Sequence, residues 1–480
     1  MACTTILVGK KASYDGSTII ARNDDGGFTT KKMVMVKKNQ PSKYKCVISH
    51  LEIELPKKSY RYSCVPNVEK NEGIWGACGI NEKNVAMTAT ETITSNPLVK
   101  GGDPLVEYKK EKGKEIPGGI GEEDLITITL PYINSARQGV ERVGQLLEKY
   151  GTYESNGMAF ADENEIWWLE TIGGHHFIAV RIPDDSVVMA PNSFSLDFFD
   201  LEDAYGKKKN NICSKDLKQF IKDNHLDVSN NKKFNPRVIF GSHSDKDHEC
   251  NSPRAWFMFK YFNKTKYDWI NNPPYSPDSD NIPFSTIPER KVTIEDIKYL
   301  MSSHYQETEF DPYRKNGSDK KYYCIGVPNS DDCGILQIRP YMPEKLKGLV
   351  WLTLGGAIFT ACVPQYVNVE NFPAYLSKTS KEVSTDYLFW SSRILAALVD
   401  SQYHKSLYHA EKYISKVFNK SFNIINKYDQ LMIKNKDYDL CNKANEELVK
   451  MLKNATEDVL KTVLLEASNN MKTKYNRNGY

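Results

Sequence analysis

Two short runs near the front of the chain, CTTILV at 3–8 and STIIARN at 17–23, are β-branched and apolar with no alternation. A strand that is apolar on both faces has to be covered on both faces. Tyr14-Asp15-Gly16-Ser17 supplies a hairpin-turn signal between the two runs. The expectation is an α+β protein, with helix layers over largely antiparallel sheets.

The rest of the chain extends that reading. KKMVMVKK (31–38) alternates like a strand, and CGINEKNVAMTATETI (78–93) turns at Asn81-Glu82-Lys83-Asn84 into another. Residues 157–194 read as a strand meander with turns at Asp162-Glu163-Asn164, Gly173-Gly174 and Pro183-Asp184-Asp185. Residues 123–150 change to a helical period, with Glu122, Glu123 and Asp124 at the start, Gly151 at the end and a break near Pro131. The stretch 206–345 is loop-rich, with short helices expected at 214–224, 254–263 and 294–304. Strands return over 334–368, where LVWLTLGGAIFTACV (349–363) reads as buried strand. From Ser380 to about Lys474 the pattern is helical. We therefore expect a main domain over 3–372 and a helical C-terminal region, 373–480, packed on it.

Composition excludes several classes of function. The 480 residues suffice for a sizeable core. Lys and Arg number 64 against 61 Asp and Glu, so net charge is +3 and there is no global field for nucleic acid or an anionic membrane. No apolar stretch is long enough to span a bilayer, and none at the N-terminus suits a secretory signal. The ten cysteines are scattered without a CxxC pair, which argues against a zinc ribbon or a dense disulfide framework and suits a reducing, cytoplasmic setting. No P-loop, dinucleotide fingerprint, GxSxG or HExxH is present. His175-His176 are expected on opposite faces of a strand, and GSHSDKDHE (241–249) fits no zinc or calcium template. No metal and no cofactor are expected.

Cys3 carries the chemistry. A thiol attacks a carbonyl at neutral pH only with a base or a stabilised thiolate. A cysteine at a mature N-terminus brings its own base, because an α-amine titrates near pH 8, roughly two units below lysine. The hairpin returns Arg22 and Asp25 toward Cys3, where the cation favours thiolate and the carboxylate can hold the amine. Met1 and Ala2 precede Cys3 and are read as a short pro-segment, removed by attack of the thiol on the Ala2 carbonyl.

CTTILVGKKAS and DGSTIIARNDD resemble the start of the dipeptidase A family of cysteine peptidases, within the N-terminal nucleophile hydrolases. The similarity continues in order through GINEKNVAMTATE (79–91), WWLETIGGHHFIAVRIPDD (167–185), APNSF (190–194), SPRAW (252–256), SSHYQETEFDPY (302–313), LQIRPYMPE (336–344) and VWLTLGG (350–356). It implies a four-layer αββα sandwich of two antiparallel sheets. It implies Cys3 as nucleophile, Arg22 and Asp25 as its orienting pair, Asn192 beside the scissile carbonyl and Arg254 supporting the nucleophile. Related choloylglycine hydrolases place a second asparagine for the oxyanion where this chain has Glu91. A carboxylate there suits a substrate ammonium instead, with Asp24 and Glu170 as further acidic candidates. His304 lies in one of the matching segments. The implied substrate is a dipeptide of broad side-chain range. An amidase of the same superfamily and a non-enzymatic relative are the alternatives, and a homo-oligomer is possible.

Overall fold

The computed structural model describes residues 3–25, 29–69, 71–89, 91–229, 233–315 and 321–471, with Glu91 described for its backbone alone. Thr4–Val8 and Thr18–Asp24 form the expected hairpin at the centre of a seven-stranded sheet. Its order is Ser285–Thr286, Val187–Ala190, Thr4–Val8, Thr18–Asp24, Asp332–Ile338, Gly348–Leu354 and Val363–Tyr366, and every ladder is antiparallel. Register decides what meets at the front of the chain. Thr5 lies opposite Arg22 on one side and Ala190 on the other, and Asp24 lies opposite Asp332. Extending those ladders past Thr4 places Cys3 between Asp24 and Asn192.

A second antiparallel sheet runs Asn211–Cys213, His176–Arg181, Ile166–Ile172, Asn156–Ala161, Ala86–Thr88 and Cys78–Ile80, with Glu91–Thr92 pairing beside Asn156 and Gly157. One buried cluster joins Ile6, Ile20 and Leu336 of the first sheet to Ile80, Ala159 and Trp168 of the second. A second cluster lies on the far face of the second sheet, where Met158 and Trp167 meet Val140, Val143 and Leu147 of the Ala136–Tyr150 helix. That helix approaches closely because Gly139 faces a ring: a Cβ there would lie 2.3 Å from Phe160 Cδ1. Ser135 caps it, its hydroxyl accepting from Gln138 N, and Pro131 sits in the 3-10 turn Leu130–Tyr132 that separates it from Glu122–Thr129.

The C-terminal helices Leu388–Ser401, Tyr403–Asn435 and Leu440–Asn469 pack on Gly348–Leu354 and Val363–Tyr366. Two polar contacts tie them down. Asn445 completes the outer strand as a neighbouring backbone would, accepting from Tyr366 N at 2.8 Å and donating to Tyr366 O at 2.9 Å. Arg339 is buried and forms a two-pronged pair with Asp429, at 2.6 and 3.1 Å. Among the described residues no helix is long and apolar enough to cross a membrane.

Several local expectations change. The meander divides: Asn156–Ala161, Ile166–Ile172 and His176–Arg181 stay in the second sheet, while Val187–Ala190 crosses to the first. The 349–363 run is cut by Gly355 and Gly356, both at positive φ, into strand and 3-10 turn. Residues 31–38 keep only the short strand Val34–Val36, paired with Tyr62–Cys64. Segment 241–249 includes the start of a short helix, Asp245–Cys250, because Ser244 and Asp247 form a capping box.

Asp429→Ala strands the buried Arg339 guanidinium and should cost roughly 3 kcal/mol of stability. Urea unfolding followed by far-UV circular dichroism should show the loss, with helical and sheet signals lost together if the C-terminal helices are integral to the fold.

Candidate active site

Cys3 is buried at the mouth of the first sheet, 2% exposed. Arg22 Nη2 donates to Cys3 Sγ at 3.0 Å and to Glu122 Oε1 at 2.9 Å, and lies 3.6 Å from Asp24 Oδ1. The Cys3 thiol in turn sits 3.7 Å from Asp24 Oδ1, within reach to donate to it. Strand pleating alone puts Arg22 on this face; Glu122, at the start of the Glu122–Thr129 helix, holds its other side. Glu122 was read from the sequence only as a helix-start acid. The signal in hindsight is three consecutive acids, Glu122, Glu123 and Asp124, all buried where a first turn is normally solvated.

Lys31, also buried, donates to Asp24 Oδ2 at 3.0 Å and to Trp75 O at 3.0 Å. Burial acts to raise the Asp24 carboxyl, but Lys31 and Arg22 outweigh it and hold Asp24 below the ordinary carboxylate range. The next strand brings Asp331 and Asp332 behind Asp24. Burial raises them to about 7 and about 8, with Asp24's charge adding to both, so they need not add two full negative charges to the cluster. Asp25 is buried beyond the strand end, where its charge adds to burial in raising Tyr323 and Cys324.

On the opposite side of Cys3 stands Arg254, fully buried in the Ser252–Phe262 helix. Its guanidinium donates to Cys3 O, to Thr4 Oγ1 at 2.9 Å, to Asn192 Oδ1 at 3.0 Å and to Asn251 Oδ1 at 2.6 Å. Asn251 donates to Asn192 O at 3.0 Å. Asn192 is thereby fixed through both its carbonyls, and its Nδ2 is left out of solvent with no acceptor among the described residues. That is a donor aimed and unspent.

One cavity opens beside the sulfur, and a second shares Thr92 with it. One, of about 190 Å³, is lined by Cys3, Arg22, Asp24, Asn67, Glu72 and Glu122 among others. The other, of about 510 Å³, is lined by Asn192, Lys246, Asp247, Arg254 and Tyr323 among others. The front of the chain, the hairpin's return and two helices thus converge on one thiol that lines the smaller hollow.

Residues 2–416 match the family described as Peptidase family C69. The chain belongs to peptidase family C69. A protein of Bifidobacterium longum named dipeptidase is 52% identical over 430 residues, covering 87% of this chain and 80% of the relative. A probable dipeptidase A of Streptococcus pyogenes serotype M3 is 43% identical over 483 residues, covering 99% of each. Dipeptidase A of Lactobacillus helveticus is 45% identical over 410 residues, covering 84% of this chain and 82% of the relative.

Within this C69 chain the remaining expected residues fall in different places. Glu91 begins the short strand Glu91–Thr92, next to Thr92 at the junction of the cavities; its side chain lies outside the described residues, as do Met1 and Ala2. Glu170 is fully buried in the second sheet, where Oε1 accepts from Trp168 Nε1 at 3.0 Å, Ser195 N at 2.7 Å and Leu196 N at 3.3 Å. It therefore grips the loop that follows Asn192. His304 borders a separate cavity of about 660 Å³ under the long Tyr403–Asn435 helix, its Nδ1 2.8 Å from Asp311 and its Nε2 3.2 Å from Tyr403 Oη. His175 lies in the hairpin turn, not the strand, so it and His176 both reach Asp103, at 2.8 and 2.7 Å.

Burial raises the Glu170 carboxyl from 4.5 to about 7. A raised acid favours the folded state below its unfolded value, and that contribution is lost as pH climbs to the folded value. Stability of the wild type should therefore decline between pH 4.5 and about 7 by up to about 3 kcal/mol through this group. Glu170→Gln should remove that decline; urea midpoints at pH 5 and pH 8 test it, and an unchanged pH slope would count against it.

Proposed function

We propose that this chain is a cysteine dipeptidase that uses Cys3 as an N-terminal nucleophile, with Met1 and Ala2 removed first. The reading rests on one observation above the rest: in a C69 chain, a buried thiol that lines a cavity receives a hydrogen bond from a buried guanidinium. We further propose that the two sheets and their covering helices form an αββα sandwich over 3–372, that the C-terminal helices are its extension, and that the protein works in the cytoplasm on dipeptides of broad range.

The cycle follows from the positions of the groups. The freed α-amine of Cys3 takes the thiol proton, and Arg22 stabilises the thiolate electrostatically. Sulfur bonds to the peptide carbonyl carbon, and the carbonyl electron pair moves to oxygen. Asn192 Nδ2 donates to that oxyanion, aided by a backbone N–H. The protonated amine then gives its proton to the leaving nitrogen, the C–N bond breaks, and a thioester remains. Water, deprotonated by the same amine, adds to the thioester; the C–S bond breaks and Cys3 is regenerated. Asp25 orients the amine, and Arg254 holds the Cys3 carbonyl and the Asn192 side chain in place. Asp24 and Glu91 are proposed at the substrate ammonium. Glu170 is proposed to act on substrate through the Asn192 loop, and His304 through its own cavity.

Cys3→Ala should retain the leader and lose dipeptide turnover by at least about 1,000-fold. Intact mass and a turnover assay of both proteins check this; wild-type-like turnover by the variant would refute the nucleophile. Asn192→Ala should lower kcat by about 100-fold or more with little change in KM. Steady-state kinetics on a well-folded variant decide it, and a pure KM effect would assign Asn192 to binding alone.

A further inference from the structure

Most charged groups around Cys3 are already committed. Arg22 serves Cys3, Glu122 and Asp24; Lys31 serves Asp24 and Trp75. Arg254 is spent on Cys3, Thr4, Asn192 and Asn251. Asp247 accepts from Ser242 Oγ, Ser244 N and Oγ, and Asn251 Nδ2, at 2.7 to 3.0 Å. What remains uncommitted differs between the two cavities. In the smaller, Glu72 enters no ion pair among the described residues, and Asn67 Oδ1 is buried without a donor. In the larger, Lys246 enters no ion pair among the described residues, and Asn192 Nδ2 is buried without an acceptor.

An unspent anion and acceptor thus lie in the cavity that Cys3 lines, and an unspent cation and donor in the cavity that shares Thr92 with it. A free dipeptide is a zwitterion with the matching order: ammonium on the acyl side of its peptide bond, carboxylate on the leaving side. We infer that the dipeptide lies across Cys3 in one direction, its ammonium in the smaller cavity, where Asn67 and Glu72 join Asp24, and its carboxylate in the larger on Lys246. Both ends are then read, so a blocked amine or a blocked carboxylate is rejected by a different residue. Glu72 and Lys246 are exposed and act by charge, whereas Asn67 is buried and would pay for desolvation if left without a donor.

This inference rests on the dipeptidase reading. The test compares one dipeptide with its N-acetyl and C-amide forms, as kcat/KM ratios, in wild type, Lys246→Met, Glu72→Gln and Asn67→Leu. Lys246→Met should lower the preference for free over amidated substrate about tenfold, through KM, and leave the preference over the acetylated form unchanged. Glu72→Gln and Asn67→Leu should do the reverse. A crossed pattern would overturn the direction, and unmoved ratios with intact turnover would overturn the inference while leaving the dipeptidase reading standing. No dipeptide turnover by wild type would overturn both. Glu72 and Lys246 lie at the surface, so their variants report even if Asn67→Leu fails to fold.

Discussion

The Arg22 guanidinium beside the Cys3 sulfur is the contact on which the site depends. A buried guanidinium is expensive unless paired, and a buried thiol ionises poorly without a cation. Each meets the other's need at 3.0 Å, and Glu122 at 2.9 Å and Asp24 at 3.6 Å complete the neutralisation. Lys31 draws on Asp24 from the far side, so Asp24 is shared between two cations. The cluster works as a unit: removing one member redistributes charge over all the others.

The scaffold explains why those groups stay in place. One antiparallel register sets Cys3 between Asp24 and Asn192, and a slip by one residue would turn Cys3 and Arg22 to opposite faces of the sheet. Arg254 fastens the same point from a helix, through the Cys3 carbonyl and the Asn192 side chain. The C-terminal helices cover the far strands of that sheet and line neither the cavity beside the thiol nor the one that shares Thr92 with it.

Much of this was legible in the residues. Strands apolar on both faces announced covered sheets, and the helical periods at 123–150 and beyond 380 corresponded to helices. Cys3, Arg22, Asn192 and Arg254, separated by up to 251 positions, do converge. Tertiary choices were harder to read. Nothing local tells that Val187–Ala190 leaves its meander for the other sheet, because its partner is Thr4–Val8, far earlier in the chain. That Glu170 also holds the loop after Asn192, accepting from three N–H donors, has no local signal in the sequence. Glu122, Lys31 and Asn67 could not be singled out, since their significance lies in whom they meet across the cavity. The His175-His176 expectation failed on one residue of turn geometry.

The central claim is that Arg22 makes the Cys3 sulfur nucleophilic by proximity. The most direct test is the rate at which iodoacetamide alkylates Cys3, followed by peptide-resolved mass spectrometry from pH 5 to 9, in wild type and Arg22→Met. The account predicts that the variant's Cys3 reacts at least about tenfold more slowly at neutral pH, with its reactivity appearing only at higher pH, while the other cysteines are unchanged. Equal Cys3 profiles in the two folded proteins would contradict it.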